Sequence, residues 1–119
     1  MLISKILVGV VAFIHLYFLV LEMFLWTKPK GLKTFRMSPE QAKTTAVLAA
    51  NQGLYNGFLA AGLIWAVLNP DVTTSFQLMV FFLSCVCVAA LYGAYTVGKE
   101  ILIFQGIPAA LALLSLTLR

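Results

Sequence analysis

From about residue 2 to 26 the chain stays apolar, and Lys5, His15 and Glu22 are the basic or acidic side chains that interrupt it. That length exceeds the roughly 20 residues an α-helix needs to cross a bilayer. Three more apolar stretches follow, at about 39–68, 73–97 and 99–118. Together they leave little chain for a polar surface: 62% of residues are apolar and 10% are charged, against about 45–50% and 25% in ordinary soluble domains. A soluble domain, a disordered tail and a nucleic-acid-binding module are thereby excluded. The net charge of +4 does not restore the last of these, because five of the eight basic residues fall between Lys28 and Lys43. The pattern is that of an integral membrane protein forming one transmembrane domain over 1–119.

The first stretch is too long for the apolar core of a signal peptide, and no small-x-small cleavage site follows it. Trp26 and then Thr27-Lys28-Pro29-Lys30 form an aromatic and basic interface anchor. The segment 27–38 reads as a basic cytoplasmic loop lying along the headgroup layer. Ser38-Pro39-Glu40-Gln41 is a helix start: Ser38 and Gln41 form a capping box, and Pro39 suits the first turn. Asn69-Pro70-Asp71 ends that helix, and Thr73, Thr74 or Ser75 is available to cap the next. Gly98 breaks the third helix, and Pro108, lacking a backbone donor, bends the fourth. Short later connections imply an all-α, up-down four-helix bundle. Basic residues near helix ends divide six (Lys28, Lys30, Lys33, Arg36, Lys43, Lys99) against two (Lys5, Arg119), which places both termini outside the cell.

The polar groups inside these helices are the ones that need a reason, since an ionisable side chain at mid-membrane costs about 2.5–3.5 kcal/mol on insertion scales. His15 and Glu22, seven residues apart, share one face of the first helix. Asn51, Gln52, Tyr55 and Asn56 form adjoining stripes on the second helix. Tyr92, Tyr95, Lys99 and Gln105 lie toward the same membrane level on the third and fourth, with Glu100 beside Lys99 at the helix start. The expectation is a polar inner-leaflet cavity lined by His15, Glu22, Asn51, Gln52, Tyr55, Asn56, Tyr95, Lys99 and Gln105. Ala49, Gly53, Gly57 and Ala61 recur every fourth residue as a small-residue ridge for close helix packing, within the chain or between copies. Cys85 and Cys87 point about 200° apart on a helix and cannot bridge each other. No metal site is expected from them, nor from His15 and Glu22 alone. Nucleotide-binding glycine loops are lacking, and the sequence assigns no catalytic set.

The length, the His15…Glu22 pair and the run Asn51-Gln52-Gly53-Leu54-Tyr55-Asn56-Gly57 resemble a family of small bacterial four-helix membrane proteins that carries a domain-of-unknown-function label. The resemblance implies four transmembrane helices in a bacterial cytoplasmic (inner) membrane. A more distant likeness is to the MAPEG proteins, the membrane-associated proteins of eicosanoid and glutathione metabolism. Asn51 with Tyr55, and Ala94-Tyr95 with Gly98-Lys99, resemble motifs of that family. Its enzymes place an Arg four residues before the Asn and a Glu three after it to hold glutathione. Val47 and Leu54 stand there in this chain, so glutathione loses its main charge partners, and what the likeness implies is a trimeric scaffold with a lipid-accessible groove.

Three functions follow as expectations. The first is an oligomer, a trimer before a dimer, that binds an amphipathic or lipid-like ligand whose anionic head meets Lys28, Lys30, Lys33 and Arg36. The second is a small proton-coupled exporter in which Glu22 exchanges a proton for a cation. The third is a structural or assembly subunit joined through the small-residue ridge.

Overall fold

The computed structural model describes residues 1–118, so Arg119, one of the two basic residues counted for the outer side, lies outside the described residues. The chain is all-helical: α1 (Leu2–Met23), α2 (Pro29–Phe35), α3 (Pro39–Leu68), α4 (Val72–Thr96), a π-helical turn (Leu102–Gly106) and α5 (Ile107–Thr117). Among the described residues α1 and α4 are long and apolar enough to cross a membrane, and Leu102–Thr117 is a shorter apolar stretch. The protein is therefore membrane-associated, with more than one apolar helix. Although α3 has 30 residues, it carries Asn51, Gln52 and Asn56 midway and a polar first turn.

The local start and stop signals act at short range. Gln41 N–H donates to Ser38 Oγ at 3.1 Å, and Ser38 N–H donates to Gln41 Oε1 at 3.0 Å. This is the reciprocal capping box that the sequence predicts for α3. Capping of α4 differs from the expectation. Asp71, not Thr73, Thr74 or Ser75, is the cap: its Oδ2 accepts from Thr74 N–H at 2.9 Å and from Thr74 Oγ1 at 2.6 Å. Ser75 instead donates its hydroxyl to the Ala66 carbonyl at 2.6 Å, a buried bond tying the start of α4 to the end of α3.

Two other expectations are corrected. The segment 27–38 is not simply a loop, because it holds α2, a seven-residue helix with Pro29 in its first turn. A helix this short does not persist alone, and its stability comes from the contacts described below. The fourth helical segment is not a continuous α-helix, because a π-helical turn interrupts it just ahead of Pro108. Pro108 has no N–H to offer the preceding turn and its ring crowds the carbonyl four residues back. The backbone widens ahead of it, with Ile107 N–H bonding Leu102 O, five residues back.

The chain divides into two compact units. One comprises Met1–Ile14 and Leu59–Arg119. Its core is Val8, Val11 and Ala12 of α1, Leu63 and Ala66 of α3, Met79, Leu83 and Val86 of α4, and Ala109, Ala112 and Leu116 of α5. Ser4 and Ser115 share a hydroxyl hydrogen bond of 2.8 Å at its edge. The other unit is His15–Phe58, the end of α1, all of α2 and the first two-thirds of α3.

Candidate functional site

The densest polar arrangement lies within the unit His15–Phe58. Glu22, in the last turn of α1, is 4% exposed. Each carboxyl oxygen accepts one carboxamide proton: Asn56 Nδ2 donates to Oε1 at 2.6 Å and Gln52 Nε2 donates to Oε2 at 2.8 Å. Gln52 and Asn56 are four apart and so share one stripe of α3. The approach of α1 to α3 that these bonds require is made possible by glycine. A Cβ on Gly53 would sit 2.7 Å from Met23 Cγ and 3.0 Å from Glu22 Cβ, and one on Gly57 would sit 2.7 Å from Leu19 Cδ1. Ala49, one turn earlier, is buried on the same side.

The remaining members of the expected cavity are placed differently. His15 is fully buried, with its ring 6.1 Å edge-on from Phe18. It lies two turns, about 10 Å, before Glu22 along α1. Asn51 is exposed and donates its Nδ2 back to the Val47 carbonyl at 2.9 Å. Tyr55 is exposed beside Phe58. Val47 and Leu54, which stand where a glutathione site would need charge, are exposed apolar residues. Tyr92, Tyr95, Lys99 and Gln105 belong to the other unit. Tyr92, Tyr95 and Lys99 are exposed there and Gln105 is half-buried. Ala61 is exposed and its neighbour Ala60 is buried.

Ala61 is offset from Ala49 around the helix for a geometric reason. Four residues turn a helix through about 400°, so each step of a four-residue ridge drifts about 40° around the axis. Three steps carry Ala61 off the face that Ala49 opens. The same arithmetic puts Gln52 and Asn56 beside Gly53 and Gly57, and puts Asn51 and Tyr55 on the far side.

A family model described as "Protein of unknown function (DUF1304)" matches residues 9–117. The chain belongs to the DUF1304 family. Uncharacterized protein YpaA of Lactococcus lactis subsp. lactis (strain IL1403) is 34% identical over 107 residues, spanning 88% of each chain. No solved structure matches the chain. The matched span of this DUF1304 chain contains Glu22, Gln52 and Asn56 and the glycines that bring them together.

Sequence reasoning overlooked a second feature, in the unit that holds α4 and α5. An open groove of about 640 Å³ runs along α4, the π turn and the start of α5. Cys87, Leu91, Leu102, Ile103 and Ile107 are among its walls, and Lys99 contributes its hydrocarbon stem. The volume falls in the roughly 300–1,000 Å³ range of small-molecule sites. Only Pro108 hinted at it, through the widened turn that Gly106 completes. Among the described residues no group of three or more His, Cys, Asp or Glu is arranged to hold a metal, and Cys85 and Cys87 are free thiols.

Proposed function

We propose that this protein is a multi-pass protein of the bacterial cytoplasmic membrane that binds an amphipathic, lipid-like ligand. The observation that carries the reading is the groove: its walls are apolar throughout, and Lys99 lines it through its hydrocarbon stem. A chain-like apolar body gains by leaving water or filling a packing defect there, and an anionic head gains by meeting the exposed Lys99 ammonium beside the groove. In this reading four helical segments span or enter the bilayer, both termini face outward, and the protein assembles as a homo-oligomer, a trimer as the MAPEG likeness implies. The test is native mass spectrometry of the protein extracted in mild detergent. An adduct of lipid-like mass is expected on the wild type. It should fall several-fold in Lys99→Gln and in Ile103→Trp, which fills the groove. A wild type carrying no adduct under conditions that preserve its oligomer sinks the reading.

A second reading, proton-coupled export, is favoured by one specific observation. The Glu22 carboxyl lies inside an apolar helix, and the two partners on its oxygens are neutral carboxamides. Such a group can take up and release a proton without breaking an ion pair. In proteoliposomes with an imposed proton gradient, Glu22→Gln would then abolish cation-coupled proton flux. A dimer in the mass measurement supports this reading over the first.

A further inference from the structure

We propose that α2 is a docked headgroup site, a short cationic helix that binds the phosphate of anionic phospholipids in the leaflet it faces. The site lies in the unit His15–Phe58 and shares no residue with the groove or with the Glu22, Gln52 and Asn56 cluster.

The inward side of α2 is locked. Gly31 is buried against the carbonyl oxygens of Leu25 and Trp26, where any Cβ would overlap them. Phe35 places its ring 4.8 Å from that of Trp26, and Trp26 Nε1 donates to Thr45 Oγ1 at 3.1 Å. The helix ends at Arg36, whose φ of 53° is left-handed and whose N–H caps the Leu32 and Lys33 carbonyls. Around these contacts Lys28, Lys30, Lys33 and Arg36 are all exposed. Lys30 and Lys33, three apart, share one face.

The position of α2 selects the partner. It follows within a few residues of α1, a helix long and apolar enough to cross a membrane, and the link contains the aromatic residues Phe24 and Trp26. Aromatic side chains at a span's end mark the headgroup level, so the cations of α2 stand among lipid phosphates. From residue 23 to 58 Glu40 is the only acidic side chain, which leaves the cluster's charge uncompensated by the protein. A loop of the same charge would attract anionic lipid diffusely, whereas a docked helix holds its ammonium groups at fixed spacing and gains specificity.

The experiment uses the full chain in mild detergent, titrated with phosphatidylglycerol and phosphatidylcholine and read by native mass spectrometry. The wild type should retain phosphatidylglycerol at least tenfold better. Lys28→Gln/Lys30→Gln/Lys33→Gln should lose about fivefold in phosphatidylglycerol affinity per cation removed, with phosphatidylcholine unchanged. Gly31→Val keeps every charge but undocks α2, and should also lose most of the preference. Phe35→Ala, which removes only the ring contact with Trp26, replaces it if that variant does not fold. Equal retention of both lipids by the wild type overturns the proposal. So does full preference in the triple variant, or full preference after undocking, which would mean a diffuse field. Displacement of the lipid by soluble glycerol phosphate reassigns the site to free phosphoesters, and displacement by poly-glutamate reassigns it to an acidic protein. Loss of the preference in Lys99→Gln instead of in the α2 variants moves the lipid to the groove and overturns the α2 site alone.

Discussion

Asn56 donates its amide proton to Glu22 Oε1 at 2.6 Å, across 34 residues of sequence and between two different helices. Gln52 makes the matching bond to Oε2 at 2.8 Å. The two donors are not equivalent, because Asn56 is half-buried and Gln52 is exposed. Losing the first removes the donor on the more enclosed side of the carboxyl group, whereas losing the second removes a donor at an exposed position.

Asn56→Ala is therefore expected to destabilise the protein by ~1–3 kcal/mol, the range for an abandoned buried acceptor, and Gln52→Ala by about 1 kcal/mol or less. Thermal unfolding in detergent, followed by circular dichroism, measures both. Equal losses for the two variants would show that burial does not rank these bonds.

Three of the four glycines on α1 and α3, Gly9, Gly53 and Gly57, predict a graded series. Gly9 has open space around its missing Cβ, so Gly9→Ala should stabilise α1 by about 0.5–1 kcal/mol through helix propensity alone. At Gly57 the obstacle is Leu19 Cδ1, the free end of a flexible side chain, and Gly57→Ala should be close to neutral. At Gly53 the obstacles are Met23 Cγ, Glu22 Cβ and the Leu19 carbonyl oxygen. Gly53→Ala must push α1 and α3 apart and weaken the Glu22 bonds with them. Unfolding midpoints should rank Gly9→Ala highest and Gly53→Ala lowest, and a reversed order would contradict the packing.

What the sequence disclosed follows the range of each interaction. The capping box at Ser38 and Gln41 was legible because both partners lie within one turn. The Asp71 cap was obscured by Asn69-Pro70, which makes Asp71 read as part of a stop signal, while Ser75 was drawn away by the Ala66 carbonyl. Helix α2 was missed because Pro29, its one local signal, also fits a loop; what fixes it is Gly31 meeting carbonyls of the preceding turn. The level of the polar residues on α3 was readable, but which stripe faces Glu22 depends on the rotation of the helix. Gly53 and Gly57 held that answer, since they adjoin Gln52 and Asn56 and lie away from Asn51 and Tyr55. The groove was not legible, because its width depends on how the chain relaxes ahead of Pro108.

Asp71 gives a pH prediction outside the apolar spans. Hydrogen bonds from the Thr74 hydroxyl and the Thr74 backbone N–H hold its carboxyl below the usual carboxylate range. A folded-state pKa below the unfolded one means that the cap's contribution is present above the unfolded value. It is lost as pH falls through the lower, folded value. Wild-type stability should thus decline on acidification with a component that Asp71→Asn removes. Asparagine caps helices about as well, so the variant should remain folded at neutral pH. An identical acid profile for the two proteins would remove Asp71 from the account.

Membrane orientation gives the last prediction, and the structure decides where to probe it. Gly31 lies in the segment of interest but has no room for a side chain against Leu25 and Trp26. Thr34 is exposed on α2, with its hydroxyl bonded locally to the Lys30 carbonyl at 2.7 Å. Val72 is exposed at the start of α4. On a Cys85→Ala/Cys87→Ala background, Thr34→Cys and Val72→Cys report the two connections separately. Basic residues gather around α2 and at Lys99, and the positive-inside tendency directs such segments to the cytoplasm. In intact cells an impermeant thiol reagent should therefore label position 72 and spare position 34, with labelling of position 34 appearing only after the membrane is opened. Labelling of position 34 from outside would invert the topology. It would also carry α2, with its cations, to the outer leaflet, where the same lipid preference would act on the opposite face of the membrane.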